Sequence, residues 1–317
     1  MITNDIAQAV RALASGKLCA IPTETVYGLA ANALDEAAVA RVFAAKERPA
    51  DHPLIVHVAS ESDVSEWITE FPQWAVELMK AVWPGPLTIV GPRTELASNS
   101  VTGNQDTVAV RVPSHPIAHE LLHQLKAQGV KGVVAPSANR FGHVSPTSAA
   151  HVAADLGEYL EANGDLILDG GDCQVGVEST IVLATGSQPV ILRPGAVTAA
   201  DIKRITGVEV SEETKNAPRV SGALDSHYSP TAQVILIAEA SDVELDSNAG
   251  FLALAQTPTP AGLVRLAAPA TIEDYAHELY GSLRAGDDMK LTTIYVVPPI
   301  GDGLAQAIND RLQRAAF

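Results

Sequence analysis

Between Leu18 and Val197 short apolar runs recur: Leu18 to Ile21, Leu54 to Val58, Leu87 to Val90, Thr107 to Val112, Val130 to Ala135, Ile181 to Val182 and Val190 to Leu192. Helical stretches and Pro/Gly turns separate them, the alternation expected of one α/β domain. Periodicity fades from about Val208 to Pro230, where Glu212, Glu213, Lys215, Pro218, Gly222 and Pro230 read as a linker. Apolar strands return at Val234 to Ala238, Phe251 to Ala255 and Thr293 to Val297. Tyr275, Leu279 and Leu283 recur every four residues, as do Leu304, Ile308 and Leu312, so each set makes one buried helix stripe. The expected plan is a domain over residues 1–207, a linker over 208–230 that covers a site, and a small Rossmann-like α/β domain over 231–317. No GxGxxG or Walker-type loop follows a strand of the second domain, so dinucleotide binding there has no motif behind it.

A chain of 317 residues exceeds one comfortable core, which agrees with two domains. Although 47% of residues are hydrophobic, no run approaches the roughly 18 needed to cross a bilayer. Asn4, Asp5, Arg11 and Lys17 interrupt the start, unlike a secretory signal, and the expected location is the cytoplasm. Cys19 and Cys173 lie far apart outside any CxxC pair, which indicates buried thiols rather than a disulfide framework or a thiolate zinc site. A formal charge of -16 with no Lys/Arg run opposes general nucleic-acid binding. A few cations converging in a cleft can still hold a nucleotide, because salt screens the diffuse surface charge.

Candidate chemistry lies at strand ends. Ile21 to Leu29 (IPTETVYGL) ends a strand in a turn dense with hydroxyls, either a ligand loop or a strand-to-helix cap made by Thr23 or Thr25. In AAKERP, Lys46 and Arg48 either suit a helix C-terminus or grip a polyphosphate. The two-residue period of Thr107 to Pro113 places Thr107, Ala109 and Arg111 on one face and three valines on the other. Arg111 is then an edge-strand device or, the favoured reading, the clamp for a carboxylate. Ser137, Asn139 and Ser145 follow another strand, Ser179 precedes Ile181, and Arg193 ends the domain beside Pro194 and Gly195. This set holds and aligns anions without a nucleophile paired to a base, as phosphoryl or nucleotidyl transfer requires.

His119-Glu120-Leu121-Leu122-His123 matches HExxH, with His115 one turn earlier, and a zinc hydrolase is one alternative. The same stretch is also an amphipathic helix whose Ile117, Leu121, Leu122 and Leu125 face a core.

In order, PTETVYGL, AKERPADHPLIVHV, WPGPLTIV, TVAVRVPSHP, APSANRFGHVSPT, LDGG, GVESTIV, ILRPG and SHYSP resemble the YrdC-type threonylcarbamoyl-AMP synthases in their long two-domain form. The resemblance covers nearly the whole chain, including the tail Ala307 to Leu312. It implies a twisted mixed-sheet domain with a basic cavity. It implies Thr25, His57, Arg111 and Ser179 around L-threonine, and Lys46, Arg48, Thr107, Ser137, Asn139, Ser145 and Arg193 around ATP. Lys46, Arg48, Ser137 and Asn139 are the pairs it implies for catalysis, and Mg²⁺ arrives with ATP rather than on protein ligands. Bicarbonate is the third substrate, and the product goes to a tRNA threonylcarbamoyl transferase, with no stable nucleic-acid or membrane contact expected. Asp225 stands where some members have an aromatic linker residue, and His52 where some have Asn. A ribosome-associated or other RNA-binding factor is the rival from another class.

Overall fold

The apolar runs pair into one large mixed sheet in the computed structural model, which describes residues 1–213, 217–222, 228–243 and 248–317. Its strands are β1 (Ile2–Thr3), β2 (Cys19–Ile21), β3 (Gly28–Asn32), β4 (Ile55–His57), β5 (Leu87–Pro92), β6 (Thr107–Arg111), β7 (Val133–Val134), β8 (Leu166–Leu168), β9 (Thr180–Leu183) and β10 (Val190–Arg193). Their spatial order is β1-β8-β2-β3-β7-β4-β6-β5-β9-β10. β6 runs parallel to β4 and antiparallel to β5, inside the sheet, which removes the edge-strand reading of Arg111. Between them the two faces are covered by α1 (Ile6–Ala14), α2 (Glu36–Lys46), α3 (Gln73–Val82), α4 (Asn99–Thr102), α5 (Pro116–Ala127), α6 (Ala149–Ala162) and α7 (Ala199–Thr206).

Each apolar strand serves two cores, because successive side chains leave opposite faces. Leu29 and Ala31 of β3 and Val134 of β7 join Val56, Trp67 and Val110 on one side. Ala30 and Val133 join Ile21, Leu13 and Leu121 on the other.

The second sheet holds β11 (Gln233–Leu236), β12 (Ala249–Leu252), β13 (Val264–Ala267) and β14 (Thr293–Val296), all parallel, in the order β11-β14-β12-β13. The three expected strands are present, and β13 is an addition. α8 (Ile272–Asp288) and α9 (Leu304–Ala315) bury Tyr275, Leu279, Leu283, Ile308 and Leu312 against it, as their four-residue spacing requires. Asp225 lies outside the described residues.

One local expectation is corrected. The loop after β2 leads through Tyr27 into β3, which pairs antiparallel with β2, so it joins strand to strand rather than capping a helix.

Candidate active site

The loop between β2 and β3 is held by its own hydroxyls. Thr23 Oγ1 donates to the Val26 carbonyl at 2.6 Å and accepts from the N–H groups of Thr25 and Val26, both at 3.2 Å. That turn presents Thr25 Oγ1 to Arg111 Nη1 at 2.9 Å. Arg111 Nη2 also lies 2.7 Å from Glu24 Oε1, an ion pair whose side chains are 5% and 4% exposed. Arg111 Nε is buried without a hydrogen-bond partner among the described residues. His57 on β4 stands in register beside Arg111 and is buried, with Nδ1 3.2 Å from the Ile55 carbonyl. Burial, then the charge of Arg111, pushes its pKa down to about 3, so the imidazole is neutral near pH 7.

The opposite wall is built at the ends of β9 and β10. Arg193 Nε and Nη2 donate to the Ser179 carbonyl at 3.1 and 3.0 Å, and Nη2 also to Ser179 Oγ at 3.1 Å. Ser179 Oγ is 2.8 Å from Thr88 Oγ1 and has no paired imidazole or carboxylate, so it is built as a ligand rather than a nucleophile. The preceding Glu178 is nearly fully buried. Burial would raise its pKa, but Arg311 and Arg193 outweigh that and hold it at about 2.

α2 ends at Glu47, which takes a left-handed conformation (φ 53°) and separates two buried cations. Arg48 Nη2 donates to the Pro53 carbonyl at 2.9 Å and to Ser221 Oγ at 3.2 Å, while its Nε is buried without a partner among the described residues. Burial lowers its pKa to about 10. Lys46 Nζ donates to the carbonyls of Ser137 and Asn139 at 2.5 and 2.6 Å, and burial pulls its pKa well below the usual lysine range. Neither cation is a solvated helix-end charge.

The structure thus brings Thr25, Arg48, His57, Arg111, Ser137, Ser179 and Arg193 to the wall of one cavity, which Ser221, Gly222 and Tyr228 complete. Lys46 and Asn139 stand behind that wall and brace the Ser137 turn. Asn139 Nδ2 holds the Arg140 and His143 carbonyls at 2.7 and 2.8 Å. Ser145 Oγ is engaged by Glu178 Oε1 at 2.6 Å. Thr107, at the far end of β6, borders an adjoining pocket that shares Ile55 and Ser221 with the cavity. Glu24 and Glu178 went without a role in the sequence reading. Their positions next to Thr25 and Ser179 are the signal, since a carboxylate adjoining a ligand residue at a strand end shares its environment.

The two histidines of the HELLH stretch come together as their spacing implies, but no third ligand joins them among the described residues. His115 is the N-cap of α5, its Nδ1 accepting the Ile117 N–H at 3.3 Å, while the rings of His119 and His123 meet edge-on at 4.5 Å. Pro116 starts the helix after His115, so the three histidines do not share one helix face. Among the described residues no group of three His, Cys, Asp or Glu is placed to hold a metal ion.

Three guanidiniums, several hydroxyls and a neutral imidazole line one partly open cavity of an α/β protein, the side-chain chemistry of a site for anionic groups. Residues 11–195 match the family model Sua5_yciO_yrdC, described as telomere recombination, and residues 197–317 match one described as threonylcarbamoyl-AMP synthase, C-terminal domain. The threonylcarbamoyl-AMP synthase of Pyrococcus abyssi is 38% identical over 316 residues, covering 95% of this chain and 91% of that one. That of Bacillus subtilis is 37% identical over 334 aligned residues, covering 99% and 94%. The crystal structure of P. abyssi Sua5 complexed with L-threonine superposes with a TM-score of 0.88 at 36% identity, covering 100% of this chain and 97% of that chain. The chain belongs to the threonylcarbamoyl-AMP synthase family, and this membership sets aside the zinc hydrolase.

Proposed function

We propose that the arginine-lined cavity is the active site of an L-threonylcarbamoyladenylate synthase, an ATP-dependent nucleotidyltransferase that forms threonylcarbamoyl-AMP and pyrophosphate from L-threonine, bicarbonate or CO₂, and ATP. The convergence of Arg48, Arg111 and Arg193 on one partly open cavity carries this reading. Arg111 takes the threonine carboxylate, for which its unpartnered Nε is a donor already in place. Thr25, His57 and Ser179 surround the amino acid. Arg48 and Arg193 take the phosphates of ATP, Ser137 and Thr107 border it, and Lys46, Asn139 and Ser145 hold the wall behind. Mg²⁺ would enter as part of the Mg-ATP substrate and would offset phosphate charge there.

The threonine amine attacks CO₂, forming the N–C bond and releasing a proton. A carbamate oxygen then attacks the α-phosphorus, and the bond to the bridging oxygen breaks as pyrophosphate leaves. The protein's part is alignment and charge stabilisation in a site shut from water. The division into residues 1–207, 208–230 and 231–317 fits this role, since Ser221, Gly222 and Tyr228 of the middle segment close the cavity over the substrates. The product passes to a tRNA threonylcarbamoyl transferase for threonylcarbamoyladenosine formation. Among the described residues no helix is long and apolar enough to cross a membrane, in keeping with a cytoplasmic place beside that partner. The formal charge of -16 speaks against the RNA-binding rival.

The test is pyrophosphate release from Mg-ATP and bicarbonate with and without L-threonine, with serine and allo-threonine alongside. Threonine-dependent release with an adenylated threonylcarbamoyl product is the expected result. Absence of release from folded, ATP-binding protein with every amino acid overturns it, and RNA affinity falling steeply with salt then favours the rival.

A further inference from the structure

A carboxylate in the wall of an anion-binding cavity works against its substrates unless something cancels its charge, because the field inside a closed site is poorly screened. Glu178 is such a group: it lines the cavity beside Ser179 and Arg193. Its counter-charge comes from the other domain. Arg311 on α9 points Nε at Glu178 Oε2 at 2.8 Å, and its side chain is 0% exposed. Tyr280 on α8 donates to the same oxygen at 2.8 Å, and Ser145 Oγ occupies Oε1 at 2.6 Å. Arg311 is itself fixed: Nη2 donates to the Pro194 carbonyl at 2.9 Å, Nη1 to Asp310 Oδ2 at 2.6 Å, and the guanidinium lies 5.4 Å from the centre of the Tyr228 ring.

The two domains also meet away from this pair. Arg284 on α8 grips Asp155 on α6 with two bonds, at 3.0 and 2.7 Å. Gly176 lies so close to α8 that a Cβ there would sit 2.4 Å from the Ala276 carbonyl oxygen. The Arg311–Glu178 contact, with Tyr280 beside it, reaches the cavity wall, and Glu178 is chain neighbour to Ser179, whose carbonyl and hydroxyl hold Arg193.

We propose that Arg311 of the C-terminal domain is a positioning residue of the active site. It neutralises and holds Glu178, so that the Ser179–Arg193 wall keeps its shape and the cavity accepts the polyphosphate of ATP. The second domain is then an electrostatic part of the site. This rests on the cavity being the substrate site, and the experiment separates the two claims.

Steady-state pyrophosphate release is measured against ATP concentration for the full-length parent, Arg193→Gln, Arg311→Gln and the double variant Glu178→Gln/Arg311→Gln, with circular dichroism to check folding. Arg311→Gln is expected to raise the KM for ATP about tenfold or more while kcat changes less, because hydrogen bonds and charges at such contacts carry a tenfold or larger effect. The double variant, which removes the carboxylate charge as well, is expected to recover most of that loss. A contact that only docked the domains would act alike wherever the interface is loosened, so Asp155→Asn, which weakens the Arg284 contact, is measured alongside: its KM for ATP is expected to stay near the parent's, and a rise as large as in Arg311→Gln overturns the proposal. An ATP KM in the double variant as high as in Arg311→Gln, or an unchanged KM in Arg311→Gln, overturns the proposal while an impaired Arg193→Gln leaves the cavity reading standing. An unimpaired Arg193→Gln overturns the cavity reading itself. Should Arg311→Gln not fold, the double variant decides alone: a KM near the parent's supports the proposal, and one raised as in Arg193→Gln overturns it.

Discussion

Arg111→Ala has two consequences of different size, and separating them tests the threonine clamp. The side chain donates Nη1 to Thr25 and places Nη2 in an ion pair with Glu24, while neither Nη2 nor Nε has a hydrogen-bond partner among the described residues. Loss of the ligand bonds is expected to weaken threonine use by about 1.5–3 kcal/mol, or roughly ten- to a hundredfold in kcat/KM. Loss of the ion pair leaves the Glu24 carboxylate, 4% exposed, without a counter-charge, which costs about 3–5 kcal/mol of fold stability when one partner of a buried pair is removed. That is a large share of a total of about 5–15 kcal/mol, so the single variant alone would confuse a folding defect with a binding defect. Glu24→Gln/Arg111→Gln removes both charges. It is expected to regain most of the stability in urea denaturation while its threonine dependence stays depressed. Pyrophosphate release against threonine concentration reads the second effect. Recovery of threonine use in the double variant, or a normal threonine KM in Arg111→Ala, would refute the clamp.

Other variants test the rest of the site. Lys46→Met removes two hydrogen bonds from a charged donor to the Ser137 and Asn139 carbonyls, each worth about 1.5–3 kcal/mol. Both stability and ATP use should fall, and a urea midpoint equal to the parent's would contradict the bracing role. Gly195→Ala places a Cβ 2.4 Å from Thr180 N and 2.7 Å from the Glu178 carbonyl oxygen, so a loss of at least about 1–3 kcal/mol is expected from overpacking. Thermal unfolding within a degree of the parent would show that the turn yields. Stability should also fall with pH in two stages: unfolded His57 takes up a proton below its ordinary 6.5 while the folded imidazole resists to about 3, and Glu178 adds a loss between 4.5 and about 2. In each window the unfolded state binds more protons, so the slope of stability against pH is positive. Urea midpoints over that range should show a shallower upper stage in His57→Gln, and an unchanged slope removes His57 as the cause.

What could be read in advance depended on whether a residue's neighbours in the chain are also its neighbours in space. β6 was legible because three valines alternating with Thr107, Ala109 and Arg111 impose a period of two, and the helix stripes on α8 and α9 were legible for the same kind of reason. β3 was missed because Gly-Leu-Ala-Ala-Asn carries little strand propensity of its own; β2 and β7 on either side hold it in the sheet. β13 escaped because Val264 to Ala267 is partly exposed at the edge, without alternation. At the site, strand ends with hydroxyls and arginines pointed to residues that the fold gathers around one cavity. The partners of those arginines did not show: Glu24 touches Arg111 across 87 positions of chain, and Arg311 touches Glu178 across 133. Nothing local marks such pairs. His115 misled in the opposite sense, since its four-residue distance from His119 says nothing of Pro116, which starts the helix just after it.

The distribution of charge along the cavity gives a reason for the order of the substrates. At one end Arg111 is balanced by Glu24, and His57 beside it is neutral, so this end carries little net charge. A zwitterion such as threonine suits it, because its carboxylate meets a guanidinium while no excess positive field opposes its ammonium. At the other end Arg48 meets a carbonyl, a hydroxyl and the Phe141 ring, and Lys46 behind it meets two carbonyls, with no carboxylate among their hydrogen-bond partners in the described residues. Burial lowers the pKa of both, which means that their charged forms are under-compensated as they stand. A polyphosphate relieves that deficit and threonine would not. On the proposed reading the reacting atoms meet between the two ends, near Ser179 and Arg193, where Arg311 of the second domain pairs with Glu178, a carboxylate that would otherwise repel the nucleotide.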